Sequence, residues 1–262
     1  MALGKSSNGS IRIGTKSSKC RTNISINPND AKRFGESMSS KFTKEAQYQD
    51  ILDVETRVGR APLGLMSNQL WHDDPKRLVF GLARYKFVAR ILEGKESVLE
   101  VGCADAFGTR VVQQFAEKVT AVDFDPVFIE DAQERRHKDW PVELFIHDIL
   151  KGPVPGQFDA AYCLDVLEHI DPADEALFLR NMANSIDANG IAIFGIPSLE
   201  SQVYASKQSK IGHVNCKSGY SLKSLMQQYF HNVLVFSMND EVVHTGFYPM
   251  AHYLFAVCCS TR

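Results

Sequence analysis

From residue 97 to residue 197 the chain repeats one pattern: a short apolar run, a loop of small or acidic residues, then an amphipathic stretch. The apolar runs at 97–101, 119–122, 142–146, 158–164 and 190–196 read as five buried strands. Helical stretches at 109–117, about 126–137 and about 172–186 separate most of them. Strands joined by helices need right-handed crossovers, so these strands lie parallel and both faces of their sheet are covered. The fold class is α/β, and ligands in such sheets bind at the carboxyl ends of the strands.

After residue 197 the alternation stops. Residues 222–230 read as a helix, but 233–237 and 253–258 are two strands with only a loop between them, rich in Asp240, Glu241, His244, Gly246 and Pro249. Without a crossover helix they pair antiparallel. The expectation is a Rossmann-like, seven-stranded, mostly parallel sheet with an antiparallel terminal hairpin, helices on both faces and an N-terminal helical cap. In that cap Leu78, Leu82, Tyr85 and Ala89 recur at helical spacing. Pro75 suits the first turn, Asp73 or Asp74 can cap it, and Gly94 ends it. The domains are then 30–94 for the cap and 95–262 for the α/β domain. Residues 1–29 hold eight Ser or Thr, five Lys or Arg and no acid, a composition that reads as a disordered basic tail. A transit peptide shares this composition, but an amphipathic Arg-bearing helix is missing.

Composition excludes several classes. A formal net charge of −2 over 262 residues does not suit nucleic-acid binding by general phosphate attraction. No apolar run approaches the roughly 20 residues of a membrane-spanning helix. The six cysteines, Cys20, Cys103, Cys163, Cys216, Cys258 and Cys259, show no CxxC spacing and read as reduced thiols of a cytoplasmic protein.

The first strand runs through Glu100 into Gly102-Cys-Ala-Asp-Ala-Phe-Gly108. Gly102 allows a sharp turn and a close ligand. A dinucleotide fingerprint would place glycines at 102, 104 and 107, where this chain has Gly102, Ala104 and Phe107, so a nicotinamide enzyme is disfavoured. Glu100 and Asp105 put negative charge beside the loop, which suits a cation better than a phosphate. Asp123 ends the second strand, 21 residues after Gly102, where a carboxylate can accept both hydroxyls of a ribose. Asp148 ends the third, with Ile149 beside it: an acceptor for an adenine amino group and an apolar face for its ring. Successive strands that each deliver an acid favour a nucleoside site.

Glu100–Gly108, Asp123, Asp148 and Leu164-Asp-Val-Leu-Glu-His-Ile170 resemble the motifs of class I S-adenosylmethionine-dependent methyltransferases. The resemblance covers about residues 95–259, and Asp165–His169 is similar to quinone-biosynthesis O-methyltransferases and to sugar and natural-product methyltransferases. It implies S-adenosylmethionine as cofactor. The Gly102-Cys103-Ala104 loop and Glu100 would lie by its methionine part, Asp123 by its ribose, and Phe124, Asp148 and Ile149 by its adenine. Leu164 would sit under the transferable methyl. Ala104 and Ala106 depart from the family, which usually has glycine at the first and commonly at the second; an alanine at 104 fits comfortably only with negative φ.

Asp165, Glu168 and His169 lie close enough to be read as a metal cluster, and similar quinone methyltransferases are associated with a divalent metal there. With no further ligand in view, Glu168 and His169 read as organising the site floor by hydrogen bonds, and no metal is expected. His169 and His213 are the candidate bases for a hydroxyl acceptor, with Asp165 facing that acceptor. From residue 201 to 223 there is no acid, while Lys207, Lys210, Lys217 and Lys223 are cationic, which would draw a phosphate- or carboxylate-bearing acceptor. Trp71 reads as core anchorage or, with His72, as the opposite wall of the pocket. The resulting expectation is methyl transfer to a small-molecule or glycan-type acceptor, oxygen before nitrogen. The alternative is a non-catalytic S-adenosylmethionine-binding scaffold, marked by Ala104 and Ala106.

Overall fold

The computed structural model describes residues 42–262. The tail expected at 1–29 lies outside the described residues. The chain divides into two compact units between Gly59 and Arg60, inside the segment expected as one cap. In the first unit, the described residues include one α-helix, α1 (Gln49–Val58), ended by Gly59 at φ 76°. In the second, α2 (Leu65–Asp73) and α3 (Pro75–Ile91) fold together with the sheet. Asp74 caps α3, its side chain accepting from the Lys76 amide, with Pro75 in the first turn.

The sheet comprises β1 (Ser97–Val101), β2 (Lys118–Asp123), β3 (Glu143–Ile146), β4 (Phe158–Leu164), β5 (Ile186–Pro197), β6 (Phe230–Asn239), β7 (Val242–His244) and β8 (Tyr253–Thr261). Their order is β3-β2-β1-β4-β5-β8-β6-β7. The first five are parallel; β8 is antiparallel to both β5 and β6. Chain order reverses between β1 and β4, which opens a crevice at their carboxyl ends.

The period of two along each strand sorts side chains to two buried faces. Leu99, Ala161, Phe194 and Leu254 pack with α6 (Glu175–Asn184) and α8 (Gly219–Met226) through Phe178, Leu179, Met182, Leu222 and Met226. Val98, Tyr162, Ile193 and Phe255 pack with α3 and α4 (Thr109–Val112) through Val88, Ala89, Leu92 and Val112. Ile129 and Ala132 of α5 (Pro126–Glu134) cover Ala121 and Leu144. No helix among the described residues is long and apolar enough to cross a membrane.

Three expectations are corrected. The sheet has an eighth strand, because residues 239–242 turn tightly through Asp240 at φ 50° and β7 pairs antiparallel with β6. The helix expected over 109–117 ends at Val112, because the Phe115 carbonyl accepts from Gly94 and the Glu117 amide donates to Lys95, which ties that segment to the entry of β1. Trp71 does not anchor the core: it is 53% exposed on α2.

Candidate functional site

The loop after β1 is fastened to the ends of β1 and β2 by its own backbone. Gly102 sits at φ 77°, where a Cβ would collide with Val166, so only glycine lets the loop lie against the β4 turn. Its amide and that of Cys103 donate to the Val122 carbonyl. Asp123, buried at the end of β2, accepts from the Ala104 amide at 2.9 Å and from the Asp125 amide at 3.0 Å. A carboxylate has about four lone-pair sites, so two remain for a ligand. Ala104 and Ala106 do not have the comfortable negative φ; they stand at 45° and 51°, in left-handed backbone. The Cys103 side chain is buried with Ile129 and Leu144, so the loop can present only its backbone there.

Glu100 lies beneath this loop, not on it. Its carboxylate accepts from the hydroxyls of Tyr85 (2.8 Å), Thr109 (2.5 Å) and Tyr162 (2.8 Å). Burial nonetheless pushes its pKa up to about 7, against the lowering effect of those three donors. Asp105, also buried, accepts from the Ser67 amide at 2.7 Å and the Phe107 amide at 3.1 Å, so it latches α2 to the loop. At the neighbouring strand ends, Phe124 is 72% exposed, Ile149 is buried, and Asp148 accepts from the Leu150 amide at 3.0 Å.

At the end of β4, buried Leu164 is followed by Asp165 at φ 56°. Aspartate tolerates that conformation better than most residues, and here it re-aims the chain into the 167–169 turn. Asp165 forms an ion pair with Arg84 of α3 at 2.6 Å. The Arg84 guanidinium also lies 3.8 Å above the centre of the Tyr253 ring. Arg84 escaped the sequence reading, although an arginine among Leu82, Ala83 and Tyr85 was a visible signal.

Of the expected hydrogen-bonded floor, the His169 side chain bonds to the Gly212 carbonyl, whereas the Glu168 carboxylate does not take part. The Glu168 side chain is fully buried, and neither carboxylate oxygen has a hydrogen-bond partner among the described residues. Burial, with Asp165 nearby, holds its carboxyl well above the usual range. The missing third group is His213. The Val214 and Asn215 amides both donate to the Glu168 carbonyl, which folds the post-β5 connection back onto the β4 turn. As a result one ligand-type atom from each of Glu168, His169 and His213 lies within 4.8 Å of the others. The His169 Nε2 is 4.0 Å from the Glu168 Oε1, and the two imidazole centres are 5.2 Å apart. Burial, then the neighbouring His169, lowers the His213 pKa, so the ring is neutral at physiological pH. One carboxylate and two imidazoles, with an orphaned buried carboxylate among them, fit a divalent cation.

The lysines of the connection are less free than their sequence suggests. Lys217 pairs with Glu175 at 2.6 Å, and Lys210 donates to the Val203 carbonyl at 3.3 Å. The same connection carries exposed apolar side chains, among them Tyr204, 91% exposed on the turn before α7 (Lys207–Gly212). The five described cysteines are all free thiols.

Residues 99–194 match the family described as "Methyltransferase domain". Nodulation protein S of Bradyrhizobium diazoefficiens is 30% identical over 138 residues, which cover 50% of this chain and 66% of that protein. The mitochondrial ubiquinone biosynthesis O-methyltransferase of Schizosaccharomyces pombe is 32% identical over 101 residues, 36% of this chain and 35% of that protein. The chain thus spans between about a third and two thirds of the length of these curated relatives. Among solved structures, the N-methyltransferase NodS of Bradyrhizobium japonicum WM9 in complex with S-adenosyl-L-homocysteine gives a TM-score of 0.55 at 21% identity, over 72% of this chain and 92% of that one. A putative methyltransferase in complex with the Haloferax volcanii Trm112 activator gives 0.58 at 12% identity, over 77% and 100%. At such identities the structural likeness is one of fold. With the domain match and the sequence relatives beside it, residues 99–194 form a methyltransferase domain, and the chain is similar to class I S-adenosylmethionine-dependent methyltransferases.

Proposed function

We propose that this chain transfers the sulfonium methyl of S-adenosylmethionine to a hydroxyl of a small-molecule or glycan-type acceptor. The observation that carries the choice of oxygen is the gathering of Glu168, His169 and His213 just beyond the β4 end. An amine attacks as its free base, whereas a hydroxyl has to lose a proton as it attacks.

In this reading Asp123 accepts the ribose hydroxyls with the lone pairs its backbone donors leave over. Phe124, Asp148 and Ile149 border the adenine. The backbone of Gly102, Cys103 and Ala104 borders the methionine part. Glu100 acts from beneath, tying α3, α4 and β4 to the strand that leads into the loop. Leu164 floors the methyl, and Asp165, kept in place by Arg84, faces the acceptor. The donor is already activated, so alignment and exclusion of water supply most of the catalysis, an effect that can reach ~7–11 kcal/mol.

Glu168, His169 and His213 would hold a divalent cation. When bound, such an ion supplies a Lewis acid that makes a nearby hydroxyl more acidic. The two imidazoles are the bases expected from sequence, and the neutral state of His213 suits a ligand as well as a base. Lys207 and Lys223, for which no partner stands among the described residues, would draw an anionic acceptor. Free buried cysteines such as Cys163 and Cys258 support a reducing, cytoplasmic location.

A cofactor-binding scaffold is the second reading, and left-handed Ala104 and Ala106 are the observation in its favour. One experiment separates the readings. Methyl-labelled cofactor is incubated with the protein and fractionated small-molecule extract, and the labelled product's linkage is identified. Label on oxygen supports the proposal. Label on nitrogen overturns the acceptor, and no transfer to any fraction favours the scaffold.

A further inference from the structure

Both histidines of the cluster have one ring nitrogen held by a hydrogen-bond acceptor. The His169 Nδ1 lies 2.9 Å from the Gly212 carbonyl oxygen, and the His213 Nδ1 lies 2.8 Å from the Gln202 Oε1. A backbone carbonyl only accepts, so His169 carries its proton on Nδ1. For His213 the outcome depends on which way the Gln202 amide points, and its other contacts decide that. The Gln202 NH2 group donates to the Ser198 carbonyl at 3.1 Å and reaches the Ser201 hydroxyl at 3.4 Å. A flipped amide would set its oxygen against the Ser198 carbonyl, so Oε1 faces the imidazole. Ser198 is itself fixed: it is fully buried at the end of β5, its amide donating to the His252 carbonyl and its hydroxyl to the Ala251 carbonyl.

We propose that Gln202 is a positioning residue: it holds the proton of His213 on Nδ1 and leaves the Nε2 lone pair as the one the ring has free for a cation. The Gln202 side chain bonds to Ser198, Ser201 and His213. It acts through His213, as Gly212 acts through His169. A cation gains from this because a ligand imidazole whose other nitrogen donates to a fixed acceptor is pre-set in tautomer and orientation, and more basic. This part of the inference rests on the cation reading above; the tautomer itself does not. Neutral imidazole in water favours the proton on Nε2, so the arrangement has to be imposed.

Two measurements test it on the full chain. Nitrogen-15 spectra at mildly alkaline pH report which ring nitrogen of His213 is protonated, with no metal added. Zinc affinity is read separately by competition with a chromophoric chelator. The unaltered protein should show His213 protonated on Nδ1. Gln202→Met, which keeps the side-chain length and removes the amide oxygen, should move the proton towards Nε2 and weaken zinc binding about 10- to 100-fold. Gln202→Glu, which keeps an acceptor, should retain the Nδ1 proton and bind zinc at least as well as unaltered protein, and this rescue excludes a general loss of folding. An Nδ1 proton that survives in Gln202→Met, or zinc affinity within about twofold of unaltered protein there, overturns the proposal. If the unaltered protein binds no zinc, the cation reading fails, and the spectrum alone decides for or against Gln202.

Discussion

Three of the five non-glycine residues with positive φ among the described residues, Ala104, Ala106 and Asp165, stand in the two loops that build the site. Left-handed backbone costs an alanine roughly 1–2 kcal/mol, because its Cβ crowds the following carbonyl. Ala104→Gly and Ala106→Gly should therefore each stabilise the protein, after the added unfolded-state entropy of glycine, by about 0.5–1 kcal/mol. Thermal unfolding should show this as an increase of ~2–4 °C in Tm per kcal/mol. An unchanged or lower Tm in both would mean that the loop carries no such strain. The strand-end acids Asp123 and Asp148 were legible in the sequence because each closes an apolar run. The sign of φ at Ala104 was not, since it is set by the Ala104 amide reaching back to Asp123. Nor was the third member of the Glu168 cluster legible, since His213 arrives through backbone bonds from a distant connection.

At the scale of elements, Glu100 is the joint of this domain. Its carboxylate ties β1 to α3 through Tyr85, to α4 through Thr109 and to β4 through Tyr162. The linkage sign follows from its pKa. In the unfolded chain the group ionises near 4.3, whereas in the fold it keeps its proton up to about 7. The folded state therefore binds more protons across that window, so this group's contribution to stability is complete below it, falls as pH rises through it, and is level above it. The change is on the order of 3 kcal/mol. Glu100→Gln should remove this slope, and urea unfolding at pH 4.5, 6 and 8 would show it; an identical slope in the variant would assign the pH dependence elsewhere. Strands β1 to β5 and the antiparallel end were legible from apolar runs and missing crossovers. β7 was not, because three residues are too few to show a period of two. The early end of α4 was equally hidden, because bonds to Gly94 and Lys95 override its local preference.

For the molecule as a whole, the fold and the site come from one arrangement. The sheet, apolar on both faces, leaves its polar residues at the carboxyl edge, and the reversal between β1 and β4 opens that edge. Gly102, Asp123 and Asp148 stand on one side of the reversal, Asp165 and the Glu168 cluster on the other, so donor and acceptor would meet across it. The acceptor side was the less legible, because it is assembled from α3, the β4 turn and the connection after β5. The central claim, that this edge is an S-adenosylmethionine site held by Asp123, is tested most directly by calorimetric titration with S-adenosylhomocysteine. The unaltered protein should give saturable one-to-one heat, and Asp123→Ala should lose about tenfold or more in affinity, as expected from ~1.5–3 kcal/mol for a charged hydrogen bond. No heat from the unaltered protein, or equal affinity in the variant, would contradict the account.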